Sequence, residues 1–288
     1  MQYKISNTFL EISIKDLGAE LCSLKKKYDS TEYIWQGDEK YWNRHAPILF
    51  PIVGKLLDNE YIYENTTYQM GQHGFARDKV FDVFIKEDDY ICFKLVDSKD
   101  TFEIYPFNFE LYLAYRLINN KLEISYKVVN KSKKEMLFSI GAHPAFNWPL
   151  EKANKSDYYF EFEDTKELER LPLTQDGISD NKKILDLENS KLYLNEELFK
   201  DDALVIENLE NKTITFKNTQ DTRSIKMSFD RFDYLGLWSK PSGAPFICIE
   251  PWHGIADFIG HNKKLEEKKG IITLLENEIF ESSYTISI

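Results

Sequence analysis

Asn119-Asn120-Lys121-Leu122-Glu123-Ile124-Ser125-Tyr126-Lys127-Val128 alternates apolar and polar residues without a break, directly after a pair of turn-forming asparagines. Leu122, Ile124, Tyr126 and Val128 share one face of an extended chain, and Glu123, Ser125 and Lys127 share the other. That is the pattern of a strand buried on one side. Asparagine tolerates left-handed backbone, so Asn119-Asn120 reads as a hairpin tip. The same period of two recurs at Leu10, Ile12 and Ile14, at Tyr158, Phe160 and Phe162, at Ile214 and Phe216, at Ile225, Met227 and Phe229, and at Tyr284, Ile286 and Ile288. Strands therefore run from one end to the other, and an all-β fold of large antiparallel sheets packed face to face is expected. Helical periodicity is confined to a short candidate around Asn195 to Phe199, and no Gly-rich strand-to-helix motif occurs.

Turn signals punctuate the strands at Asp58-Asn59, Asp176-Gly177, Asn211-Lys212 and Ser242-Gly243, with Asn211-Lys212 read as a second hairpin tip. The polar stretch from Glu151 to Lys191 reads as long connecting loops. No linker or compositional break divides the 288 residues, so one domain over 1–288 is expected. Aromatics make up 15% of the chain, which suits pleated half-buried surfaces and stacking on a ring-shaped ligand.

A net charge of −11 disfavours nucleic acid and anionic membrane as partners. Cys22, Cys92 and Cys248 lack the spacing of a zinc site or a disulfide framework and read as reduced, mostly buried thiols. Met1 to Leu10 shows neither a basic region nor an apolar run behind it, and no stretch is long and apolar enough for a membrane span. A cytoplasmic location is the expectation.

Only five histidines occur, and two of them lie in similar settings: Gln72-His73-Gly74-Phe75-Ala76-Arg77 and Gly141-Ala142-His143-Pro144-Ala145-Phe146-Asn147. A third segment, Cys248-Ile249-Glu250-Pro251-Trp252-His253-Gly254, adds a carboxylate. Two imidazoles and an environment-tuned glutamate are what a proton-shuttling site requires. Glu250 ends an apolar strand from Pro245 to Ile249, sharing a face with Cys248, and Pro251 is expected to halt the ladder there. In so apolar a place its pKa should rise, as suits a general base near neutrality. A strand-end glutamate paired with an arginine is the alternative. Gly141 and Pro144 imply a sharp bend that fixes His143, and Gly71 and Gly74 flank His73. Either histidine could instead be a core residue bonded to backbone.

Trp252 could supply a ring platform for a sugar. Arg44 precedes an apolar run, Ile48 to Val53, that reads as a buried strand, and Arg77 follows His73 by four residues. Each guanidinium could clamp a hydroxyl or a phosphate, or pair with one of many acids. Asp202, beside Asp201, could hydrogen-bond a polyol or sit solvated in a loop. His253 could orient Glu250 or lie at the surface, and His45 and His261 are weaker candidates. His73, His143 and Glu250 are good ligand types, but no His-x-His or His-Glu-x-x-His cluster is present, so no metal and no cofactor is expected. No Gly-x-Ser-x-Gly elbow occurs either.

The order His-Gly-Phe-Ala-Arg, Gly-Ala-His-Pro-Ala-Phe, Ile-Glu-Pro-Trp resembles the aldose 1-epimerase (galactose mutarotase) superfamily over nearly the whole chain. Pro47-Ile48-Leu49-Phe50-Pro51 and Leu237-Trp238-Ser239-Lys240-Pro241 point to its LacX-type branch. The resemblance implies a galactose mutarotase-like β-supersandwich enzyme, metal-independent, that interconverts the α and β anomers of an aldose. It further implies that Glu250 takes the proton of the anomeric hydroxyl, that His143 protonates the ring oxygen, and that His73 assists there. Asp202 matches the family's sugar-binding aspartate, and Asn43-Arg44 its Asn-Arg region loosely. His73 to Arg77 looks more like the glucose-6-phosphate 1-epimerase branch.

A mutarotase acting on a free hexose, as a monomer or homodimer, is thus the leading expectation. The alternatives are a hexose-6-phosphate 1-epimerase, a non-catalytic carbohydrate-binding protein, and a glycoside hydrolase using Glu250 and Asp202.

Overall fold

The structure, a computed structural model, describes residues 1–150, 153–241 and 243–288. Phe109–Ile118 and Lys121–Asn130 form a hairpin closed by Asn119-Asn120, with Asn119 in left-handed backbone. On its buried face Leu122 lies opposite Leu117, Ile124 opposite Tyr115, Tyr126 opposite Leu113 and Val128 opposite Leu111. The C-terminal strand Ile279–Ser287 pairs on the other side and adds Ile286 and Tyr284 to the same face. The alternation read from the sequence is therefore the inner face of a nine-stranded antiparallel sheet. Truncating a fully buried member such as Ile124 to alanine should cost about 2–5 kcal/mol.

A second nine-stranded antiparallel sheet is built around Phe246–His253, and smaller sheets flank the pair. The main apolar core runs from Ile5 to Ile286 and includes residues of both large sheets. All-β architecture with large antiparallel sheets is thus what the chain forms.

Several local expectations need correction. Asn211-Lys212 is not a hairpin tip, because Leu204–Glu207 before it pairs within the second sheet and Thr213–Asn218 after it within the first. A turn signal records that the chain reverses, not which strand it will pair with. The stretch from Glu151 to Lys191 is not only loop: it carries the strands Tyr158–Phe162, Glu167–Thr174, Gly177–Ile178 and Lys183–Asp186. Glu167–Thr174 buries Leu168 and Leu171 among polar residues, so its composition imitates a loop. Glu151, like Ser242 of the expected Ser242-Gly243 turn, lies outside the described residues.

The run Ile48 to Val53 is buried throughout, but only Ile48–Leu49 is a strand; Pro51, lacking an N–H, interrupts it. Asn195 caps a 3₁₀ turn over Glu196–Phe199, matching the helical candidate. The helix Lys99–Ile104, capped reciprocally by Ser98 and Thr101, carried no periodic signal because Thr101 is its only buried residue.

Pro251 does not end its strand, which continues to His253. Ile249 donates its N–H to the Pro144 carbonyl, and the nitrogen of residue 251 faces the same way. On that side the neighbouring chain leaves the ladder at His143-Pro144, between the short strands Ile140–Ala142 and Ala145–Asn147. The proline thus removes a donor that would have had no ladder partner.

Candidate active site

That interruption in the ladder is where the site forms. Ile140–Ala142 and Ala145–Asn147 both pair with Phe246–His253, so His143, at the gap between them, is held over the middle of the strand that carries Glu250. His143 Nε2 lies 3.3 Å from Glu250 Oε2 at the base of a cleft of about 760 Å³. The edge of the His73 ring meets His143, with centroids 5.6 Å apart. Three segments far apart in sequence therefore converge.

Gly141 does not provide a bend. It sits in a strand, and a Cβ there would lie 2.6 Å from Cδ1 of Trp252. Trp252 lies across both Gly141 and Gly236 and donates its indole N–H to the Ala142 carbonyl at 3.1 Å. It lines the cleft but is only 5% exposed, so it serves more as floor than as open platform. The more open rings in the cleft are Trp42 and Trp238. Trp42 stacks on His143 at 4.9 Å and Trp238 meets it edge-on at 5.7 Å. Trp42 carries no signal of its own in the sequence; the adjoining Asn43-Arg44 is the local pointer to it.

His73 occupies left-handed backbone, φ 67°, which is unfavourable for a non-glycine residue. Reciprocal hydrogen bonds with Gly54 hold it: His73 N–H to the Gly54 carbonyl at 2.9 Å, and Gly54 N–H to His73 Nδ1 at 3.1 Å. The second bond has a chemical consequence. A neutral imidazole whose Nδ1 accepts must carry its proton on Nε2. Gly74 follows in left-handed backbone against the Phe50 carbonyl, where a side chain would clash, whereas Gly71 faces open space.

Glu250 is 1% exposed, and burial, reinforced by the charge of Asp202, holds its carboxyl well above the usual range. Burial pulls His143 the other way, to about 3, helped by Arg77 and Arg44. His73 is lowered for the same reasons, with His143 as a further contributor. Burial thus disfavours charge on both members of the pair. The alternative of an arginine partner for Glu250 does not hold.

Both arginines line the cleft, and both also engage acids or backbone. Arg44 pairs with Asp78 at 2.9 Å, and Arg77 donates to the Gln72 carbonyl at 2.7 Å. Asp202 stands at the cleft wall with φ 135°, its Oδ1 accepting from Ala203 N–H at 2.7 Å. Asp201 is not among the lining residues.

The other histidines lie elsewhere. His253 is buried on the opposite face of its strand, stacked on Phe232 and bonded to Ser282, not at the surface and not touching Glu250. His45 is held between Lys15 and the Trp35 carbonyl, and His261 lies beside Asp257. A second depression, of about 600 Å³, crosses the first large sheet among Tyr90, Tyr112 and Lys127 and has no histidine in its lining.

His143, Cys248 and Glu250 place their nitrogen, sulfur and oxygen within 4.8 Å of one another. Spacing along the chain could not have shown this, since Cys248 and Glu250 share a strand face while His143 arrives from another element. All three cysteines are free and buried.

The family described as aldose 1-epimerase matches residues 1–271. The plasmid and chromosomal LacX proteins of Lactococcus lactis subsp. lactis are each 33% identical over all of this chain and 99% of their own length. A galactose mutarotase related enzyme from Lactobacillus acidophilus superposes with a TM-score of 0.95 at 37% identity, over 100% of this chain and 97% of that one. A galactose mutarotase-like protein from Lactobacillus casei gives 0.90 at 32%, over 100% and 99%. With a matching fold and a cleft built from the same three segments that carried the resemblance, the chain belongs to the aldose 1-epimerase family.

Proposed function

We propose that the cleft interconverts the α and β anomers of an aldose by acid–base ring opening and closure. The observation that carries this reading is the 3.3 Å contact between His143 Nε2 and Glu250 Oε2 at the cleft base. Ring opening moves a proton off the anomeric hydroxyl and another onto the ring oxygen, and both oxygens are bonded to the same carbon. Acid and base must therefore be neighbours, as these are.

Glu250 as carboxylate takes the hydroxyl proton while His143 as imidazolium protonates the ring oxygen. The step leaves a protonated carboxyl, a neutral imidazole and an open aldehyde. Burial favours that uncharged pair, so the desolvation that drives this step also opposes forming the charged pair that begins it. Rotation about the first carbon–carbon bond and closure with the roles reversed yields the other anomer. His73 donates its Nε2 proton as a hydrogen bond toward the ring oxygen, and Asp202 and Arg77 bind hydroxyls. Trp42 and Trp238, rather than Trp252 alone, supply the stacking surface.

Arg44 and Arg77 at the cleft favour a second reading, a hexose 6-phosphate as substrate. Polarimetry on fresh α-glucose and α-galactose, with anomer-resolved NMR exchange on glucose 6-phosphate, tests both. Acceleration abolished in Glu250→Gln supports epimerase chemistry, and the preferred sugar separates the readings. Sugar binding without acceleration would instead favour a non-catalytic carbohydrate-binding protein. The reading takes residues 1–288 as one catalytic unit, supported by a core running from Ile5 to Ile286, acting on a small sugar in the cytoplasm as a monomer or homodimer. Among the described residues no helix is long and apolar enough to cross a membrane.

A further inference from the structure

The proposed chemistry uses Glu250 and His143 and leaves Cys248, two residues before Glu250 on the same strand face, without a role. We propose that His143, Cys248 and Glu250 form a binding site for a thiophilic divalent cation of the zinc type, and that an ion seated there silences the acid–base pair. It would be an inhibitory ion, not a resident cofactor.

The geometry favours this. In a tetrahedral zinc site with bonds of roughly 2.0–2.1 Å to nitrogen and oxygen, those two ligand atoms stand about 3.3 Å apart. His143 Nε2 and Glu250 Oε2 are already 3.3 Å apart. Sulfur at roughly 2.3 Å from the ion would stand about 3.6 Å from each of them. The three atoms lie within 4.8 Å of one another, so the sulfur stands no more than about 1.2 Å beyond its tetrahedral distance. His143 and Glu250 line the cleft, by which an ion would enter, and Cys248 lies behind them.

The donor set, one imidazole, one thiolate and one carboxylate, suits zinc or cobalt better than magnesium or calcium, which prefer all-oxygen shells.

The inhibitory half rests on the epimerase reading; the binding half does not. The test is titration of the whole protein with cobalt(II), followed by displacement with zinc(II). One equivalent of cobalt should produce a near-ultraviolet thiolate-to-metal band and the intense visible absorption of four-coordinate cobalt. Affinity should rise with pH, because the thiol must give up its proton to bind the ion. Cys248→Ala and the near-isosteric Cys248→Ser should lose the band and weaken zinc binding by about tenfold or more. Without added metal, both should keep their aldose turnover. Absence of the thiolate band in the wild type, or unchanged binding in Cys248→Ala, overturns the site. Zinc that binds without slowing anomer exchange overturns its inhibitory effect. If no aldose is turned over at all, the epimerase reading fails while the spectral titration still decides the site.

Discussion

Replacing Glu250 with glutamine should impair catalysis and stabilise the fold at the same pH, and the two effects have one cause. The side chain is 1% exposed, and its carboxyl is held well above the usual range by burial and by Asp202. In the unfolded chain it titrates near ~4.3. Above that pH the unfolded state gives up a proton that the folded state retains. Stability therefore falls as pH rises from about 4.3 to the raised folded pKa, at about 1.4 kcal/mol for each unit of separation, and is level beyond it. Glutamine is uncharged in both states and escapes this loss. Glu250→Gln should thus be no more stable than wild type near pH 4 and more stable by at least about 1 kcal/mol at pH 8. Urea midpoints at intervals between those pH values would measure the difference. Anomer exchange should fall by about 10²–10⁴-fold, with sugar affinity nearly unchanged because shape and polarity are kept. A stability difference that does not vary with pH would refute the assigned protonation state. Turnover at the wild-type rate would refute the base.

His143 has the opposite sign. Its pKa, lowered to about 3 by burial, makes the fold lose stability as pH falls from about 6.5, the unfolded value, toward 3; His143→Gln should flatten that limb in acid titrations followed by tryptophan fluorescence. Gly141→Ala would place a methyl 2.6 Å from the Trp252 indole, and the forced shift should cost about 1–3 kcal/mol in denaturant titrations and slow turnover through the displaced cleft floor. Removing one member of the buried Lys268–Asp257 pair, 2.8 Å apart and each about 1% exposed, as in Lys268→Met, should destabilise by about 3–5 kcal/mol. A midpoint within experimental error of wild type would show that the pair is not isolated from water. Trp42→Ala should reduce turnover by an amount equivalent to about 0.5–1.5 kcal/mol, with Trp42→Phe recovering part of it, since the ring stacked on His143 is what is lost.

Much of the site was legible because its residues carry local punctuation. His73 stands before a glycine that must be one, at the Phe50 carbonyl, and Glu250 follows a continuous apolar run, Pro245 to Ile249. Trp42 was not legible, since a tryptophan in a polar loop looks the same whether it stacks on an imidazole or on solvent. The strand character of Glu167–Thr174 was hidden for a related reason: only Leu168 and Leu171 are buried, and the polar residues between them make it resemble a loop.

What the chain determined by itself was periodicity and residue type. Alternation is a property of neighbours two apart, so the all-β class and the buried faces of Lys121–Asn130 and Ile279–Ser287 follow from the sequence alone. So do the residue types of the proposed acid–base pair. Which strand each turn leads to, as at Asn211-Lys212, depends on competition among partners elsewhere in the chain, such as Tyr158–Phe162 and Tyr234–Trp238. So does the 3.3 Å approach of His143 to Glu250, and with it the pair's protonation state, because desolvation exists only once the strands have closed over both groups.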